Sequence, residues 1–177
     1  MNFKSLFLST MLILISAMGQ AQQIKNDQTP VVLPSTGWDF ICEKYALTGL
    51  VNVQITKTEN SGIMKLSIAA TNVTFTISGT VYVFLKDNTI ITCLDKAQHY
   101  VAGNSIASNY YLSVAEMTKL KRTAIESIHF NIKGTTQGFN SQVGNFTALN
   151  KKYYFATAFD QTKKSYDTAE DITALYK

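Results

Sequence analysis

The chain has 177 residues, 46% hydrophobic and 16% charged, with a formal net charge of +4. That balance is globular and excludes a disordered or low-complexity protein. Arg122 is the sole arginine among 16 basic residues, and the lysines are scattered. A nucleic-acid partner, which draws on arginine for bidentate phosphate and base contacts, is therefore not expected.

The chain opens Met-Asn-Phe-Lys4, followed by an apolar run from Leu6 to Met18 and then Gly19-Gln20-Ala21. The run is shorter than the ~20 residues needed to cross a bilayer. It fits the apolar core of a secretory signal, with small residues ahead of the cleavage point. Residues 1–21 are read as a signal peptide cleaved after Ala21, which implies a periplasmic or extracellular location. No later apolar stretch has membrane-spanning length, so no membrane insertion is expected after cleavage. Residues 22–36 hold both prolines, Pro30 and Pro34, and read as an extended leader. Residues 37–177 are of single-domain size and form the expected β-rich domain.

From Trp38 onward the apolar period is two. Val51, Val53 and Ile55 alternate with polar residues, and Lys57 to Gly62 is a turn. Met64, Leu66, Ile68 and Ala70 share the next face. The parity then shifts to Val73, Phe75 and Ile77, which marks a bulge or tight turn at Thr71-Asn72. Thr80–Leu85 is apolar on both faces and should lie under cover on each side. Asp87-Asn88 and Gly103-Asn104 read as two-residue hairpin turns. Ser113-Val-Ala-Glu116 is a capping box before a helix carrying Val114, Met117 and Leu120. A strand follows over 124–133, burying Ile128, Phe130 and Ile132, with His129 on its wetter face. Gly134–Gly144 is a polar loop. Phe146–Leu149 and Tyr153–Phe159 form an expected hairpin, and Thr168–Asp171 caps a last short helix presenting Ile172, Leu175 and Tyr176. Hairpins dominate without βαβ alternation, so the expected architecture is an antiparallel β-sandwich or partly closed barrel of eight or more strands with two short helices.

The segment from Thr80 to Lys133 combines a strand, the turn Lys86-Asp-Asn-Thr89 and a second hairpin. These are followed by Tyr110-Tyr-Leu-Ser-Val-Ala-Glu-Met-Thr-Lys-Leu-Lys121 and Ile125-Glu-Ser-Ile-His-Phe130. This pattern resembles one found in exported, β-rich proteins of Gram-negative bacteria whose function is uncharacterised. The resemblance implies a periplasmic or secreted home and carries no catalytic residue.

The chemistry-bearing residues form no recognisable motif. His99 and His129 lack the close-spaced His or Cys partners of a zinc site, so neither metal nor other cofactor is expected. Gly-x-Ser-x-Gly, Ser-x-x-Lys and phosphate-loop spacings do not occur. Cys42 and Cys93 read either as one disulfide, worth up to ~4 kcal/mol for a loop of this length, or as two buried thiols. The aromatic residues Tyr82, Phe84, Tyr110, Tyr111, Tyr153 and Tyr154 read either as core packing or as a platform for a sugar ring or peptide. Asn72-Val-Thr and Asn145-Phe-Thr are glycosylation acceptors only in a host that uses that motif. In the polar loop, Phe139 is the candidate binding anchor, flanked by Gln137 and Asn140.

The expected function is thus a small non-enzymatic extracytoplasmic binding module acting on a protein or glycan, one form of which is an immunity or inhibitor protein. The alternative is an envelope hydrolase whose carboxylates are assembled across strands. The export reading has a direct test. Protein recovered from the envelope or medium should begin at Gln22 on N-terminal sequencing, and retention of Met1 would overturn it.

Overall fold

A computed structural model of the chain describes residues 33–43, 49–135, 140–153 and 164–177. The expected signal, and the leader up to residue 32, lie outside them. Strands form where apolar and polar residues alternate: β1 (Ser35–Glu43), β2 (Leu50–Lys57), β3 (Gly62–Ala69), β4 (Thr76–Ile77), β5 (Val81–Leu85), β6 (Ile90–Cys93), β7 (His99–Ala102), β8 (Ser105–Leu112), β9 (Ile125–Lys133) and β10 (Gly144–Leu149). Two helices, α1 (Val114–Arg122) and α2 (Thr168–Ala174), complete the described elements. β1 takes in Ser35 and Thr36 at the end of the expected leader.

These ten strands make one antiparallel sheet, in the order β6-β5-β9-β10-β1-β2-β3-β8-β7, with β4 paired to β9 on the same edge as β5. The sheet is curled into a half-barrel, which settles the architecture in favour of the partly closed barrel over the sandwich. Chain length explains the curl. β6 and β7 are the two ends of the nine-strand path, yet only Leu94–Gln98 connects them. Laid flat, eight strand spacings would separate them by ~38 Å. Six residue steps reach at most ~20 Å.

Directly opposed residues in an antiparallel pair share a face, so the register traces the core across the sheet. Phe40, Val51, Ile68 and Ile106 form one interior row, and Cys42, Ala148, Ile128, Val83 and Ile91 another. Every member of both rows is buried. The period-two faces expected for β2, β3 and β9 are all present. β5 departs from expectation: Val81, Val83 and Leu85 are buried, but Tyr82 is 44% exposed and Phe84 half-buried. β5 lies next to the edge strand β6, and its outer face looks away from the core. Val73 and Val114 are likewise exposed, not packed.

The connections follow their local chemistry. Gly103 takes φ +60°, as the two-residue turn requires. The β5–β6 turn is longer than expected, a three-residue loop over Lys86–Asn88. Asn88 N donates to Leu85 O, Asn88 takes φ +65°, and Leu85 N donates to Thr89 O. Thr89 N also donates to the Asp87 carboxylate, which holds its pKa below the usual carboxylate value. The parity shift is a tight turn, where Asn72 Oδ1 accepts from Thr74 N at 2.9 Å and Phe75 N donates to Asn72 O.

The Ser113–Glu116 capping box forms in both directions. α1 buries Met117 and Leu120, and Met117 fills the space where a side chain at Gly62 would stand. α2 is capped by Asp167, one residue before the expected start, because Thr168 is wholly buried and accepts from Ile125 N at 2.8 Å. Trp38 Nε1 donates to Asp171 Oδ2 at 2.7 Å, tying α2 to β1. The second arm of the expected hairpin at 153–159 lies, apart from Tyr153, outside the described residues.

Asn150 is the buried polar staple of this end. Its Nδ2 donates to Ile125 O at 2.7 Å and Tyr166 O at 3.0 Å, and its Oδ1 accepts from Tyr166 N at 2.9 Å. That fixes Tyr166, whose ring stacks on Phe40 with centroids 6.2 Å apart. Asn150→Ala should cost about 3 kcal/mol by leaving three backbone groups unpaired. Asn150→Asp should also destabilise, since the donors are lost. Urea midpoints at unchanged m-value measure both, and a loss below ~1 kcal/mol for Asn150→Ala would refute the staple.

Candidate functional site

β4 and β5 pair with the same edge of β9, separated by a break at Ser78–Thr80. Gly79 makes the break, with φ +86° in the region that favours glycine. Ser78 N still donates to Asn131 O at 2.9 Å. The interruption opens the outer face over the Phe130–Phe146 pair, whose rings are 5.9 Å apart. The result is a depression of about 270 Å³ lined mainly by Thr80, Tyr82, His129, Asn131, Asn145 and Thr147.

The register assembles these side chains. His129 stands opposite Tyr82 on one side and Thr147 on the other, while Asn131 stands opposite Asn145. Asn131 Nδ2 donates to Asn145 Oδ1 at 2.8 Å, which leaves the Asn145 amide group facing outward as a donor. The His129 ring lies 4.4 Å from that of Phe84, and its outer surface is exposed. Asn131 also borders a wider rim depression of about 610 Å³, with Thr74, Thr76, Lys133, Gly134 and Val143. Chemically the face offers aromatic area, amides and hydroxyls. Such a set binds and orients a ligand by stacking and hydrogen bonds.

The candidates from the sequence fall elsewhere. Gln137 and Phe139 lie outside the described residues. Asn140 is described, but its Oδ1 accepts from Gln142 N at 2.8 Å and its carbonyl from Val143 N, so it shapes its own loop. Cys42 and Cys93 are not joined by a disulfide. They are two buried thiols on β1 and β6, which are four strands apart along the sheet path. A bridge needs Cα atoms within ~7 Å. Burial pushes each thiol up to about 12, with Glu43 adding at Cys42 and Glu116 at Cys93.

The histidines also divide. His99 Nε2 lies 3.4 Å from Asp95 Oδ1, and His99 Nδ1 lies 3.1 Å from Ser108 Oγ. An Asp–His–Ser order is thus present in space without any sequence motif. Ser108 is wholly buried, on the row of Val53 and Leu66, so no substrate carbonyl can reach it. This cluster instead closes the seam between the sheet ends. Asp95 Oδ2 accepts from Gly79 N at 2.6 Å, and Tyr110 Oη points to Gly79 O at 3.5 Å. Tyr110 is pushed up to about 12 by burial, an effect that its bond with Ser108 opposes and that Asp95 and Cys93 reinforce.

No family model, curated protein or solved structure matches the chain. The site therefore stands on its own geometry.

The raised thiol and phenol values have a pH consequence. Cys42 and Cys93 shift from 9.0, and Tyr110 from 10.0, each to about 12 in the folded state. The folded state holds these protons more tightly than the unfolded chain. The stability this confers is fully present below pH 9 and lost as pH rises towards 12. Denaturant midpoints should fall across that window, and the fall should shrink in Cys42→Ala/Cys93→Ala. Native protein should resist alkylation at pH 8, then take up two labels on unfolding without reductant. Labelling of folded protein at pH 8 would contradict the burial.

Proposed function

We propose that the exported chain is a small extracytoplasmic, non-enzymatic binding module that takes a saccharide onto the outer face of β5, β9 and β10. The observation that carries this reading is the exposed Tyr82 ring beside the His129–Phe84 stack and the Asn131–Asn145 amide pair, around one depression. The tyrosine supplies an apolar surface for a sugar ring and a polar tip, while Asn145, Thr80 and Thr147 supply hydroxyl-matching partners. At about 270 Å³ the depression suits a single ring more than an extended chain. The core does not require aromatic rings at these outward positions, since Val81 and Val83 already fill the interior side of β5.

A protein partner, as for an immunity or inhibitor module, is the second reading. It is favoured by Ile90 and Leu94, which are 48% and 63% exposed on and just beyond the edge strand β6 and extend the apolar area past the depression. Glycan-array and calorimetric binding separate the two. Tyr82→Ala should weaken saccharide binding about tenfold or more. The thermal midpoint should stay within ~1 °C, because the ring is at the surface. Saccharide binding unaffected by Tyr82→Ala, or no saccharide bound at all, would remove the glycan reading. Capture of a protein lost on Ile90→Asp would then establish the second.

A further inference from the structure

The outer face of β9 extends beyond the depression over Phe130 and Phe146. Strand alternation puts His129, Asn131 and Lys133 on that face, with ~13 Å of strand from the first to the third. The register walls this row on both sides. Tyr82 stands opposite His129 and Thr76 opposite Lys133, while Thr147 and Asn145 on β10 stand opposite His129 and Asn131. Asn131 borders both the depression of about 270 Å³ and the one of about 610 Å³, so the two meet there and form one trough along β9. Two glycines leave backbone open beside it, since nothing lies within 4 Å of where a side chain at Gly79 or Gly144 would begin. Such positions allow a ligand close to the main chain.

The two ends of the trough differ in chemistry. Tyr82 and His129 give one end its aromatic area. At the other, Lys133 is exposed and lines the wider depression with Thr74, Thr76 and Thr135. Among the described residues, no aspartate or glutamate lines either depression. The ion pairs found among these residues are Asp95–His99 and Glu43–Lys151, and Lys133 belongs to neither. Glu43, set across from Thr147 by the register, is thus already matched by Lys151. Asp95, at the Gly79 break, is matched by His99 and by the N–H of Gly79. Lys133 is left in the trough as a cation without a counter-ion. Lysines also guard open sheet edges. β9 has neighbours on both sides in the sheet, so that is not the task of this one.

We propose that the trough takes an acidic oligosaccharide lengthwise along β9, with one ring stacked on Tyr82 and a carboxylate or sulfate of a later ring at Lys133. The inference rests on the saccharide reading of the outer face and adds the length and charge of the ligand. The distance from His129 to Lys133 exceeds one sugar ring, so the ring seated in the smaller depression is one end of a longer chain. Threonine hydroxyls and the Asn131–Asn145 amides meet the sugar hydroxyls between the two ends. Lys133 supplies the charge that a neutral glycan would leave unused.

A glycan array of uronate-containing, sulfated and neutral members, from single rings to oligosaccharides, gives the first readout. Acidic members longer than one ring should bind best. Calorimetry then compares the best acidic binder with its neutral counterpart, the methyl ester of a uronate or the desulfated form of a sulfated sugar, which also identifies the anionic group. Wild type should favour the acidic form about fivefold, as one solvent-facing ion pair supplies, and the preference should shrink in high salt. Lys133→Gln keeps a long stem and a hydrogen-bond donor but drops the charge. It should abolish the preference, leave binding of the neutral form unchanged and keep the sugar-free thermal midpoint. Lys119→Gln, the same change of charge at an exposed position on α1, should behave as wild type. Equal binding of acidic and neutral forms, still weakened by Tyr82→Ala, would overturn this inference and leave the saccharide reading standing. A single ring bound as tightly as the oligosaccharide would overturn it too. A preference reduced alike by Lys133→Gln and Lys119→Gln would assign the effect to net charge and remove the site. Binding of no saccharide at all would remove both readings.

Discussion

Five residues between β6 and β7 govern the shape of this protein. They join the two ends of a nine-strand path, and a chain that short cannot span a flat sheet of that width. The sheet must therefore curl until its ends approach. Curling is what gives the molecule an interior, where rows of Val, Ile, Leu and Phe meet from opposite sides of a single sheet. It also brings Tyr110 and Asp95 to Gly79, so the seam is sealed by side chains and not by a ladder of backbone hydrogen bonds.

The remaining openings are closed by different means at the two ends. At one, α1 and α2 pack together over Gly62 and Ile125, with Trp38 and Thr168 fixing α2 to the strands. At the other, the Thr71–Thr74 turn and Phe75 pack down, and Phe75 occupies the space where a side chain at Gly134 would stand. The buried Gln142 joins this cap by accepting from both the backbone N–H and the hydroxyl of Thr71. Polar groups here act as clips between elements far apart in sequence. Their hydrogen bonds matter because a buried polar group without one costs more than a made bond contributes.

Much of this was legible in local chemistry. The period-two faces of β2, β3 and β9, the Ser113 capping box and the Gly103-Asn104 turn all follow from neighbouring residues. Sequence and structure part where a distant partner decides. Thr80–Leu85 looked two-sidedly apolar, but only the pairing order tells that β5 lies beside the edge, with Tyr82 exposed. Thr168 looked like a cap until Ile125 claimed its hydroxyl. The Asp95–His99–Ser108 cluster joins a connection to two strands and leaves no spacing signature. The outer-face site was half visible, since His129 had an evident wet side while Tyr82 was expected under cover. What could not be read was that β5 and β9 would set them opposite each other.

The strand order also bears on how the chain reaches this state. β1 lies in the middle of the sheet, flanked by β2 and β10, and its pairing with β10 joins Ile41 to Leu149. A chain that leaves the ribosome, or threads a translocon, from its N-terminus presents β1 and β2 early, while one edge of β1 stays open until nearly the whole domain has emerged. That gives the fold a high contact order, which slows folding and prolongs the exposure of an apolar strand edge. The same central position that pairs β1 on both edges once folded makes it the segment most in need of protection during synthesis.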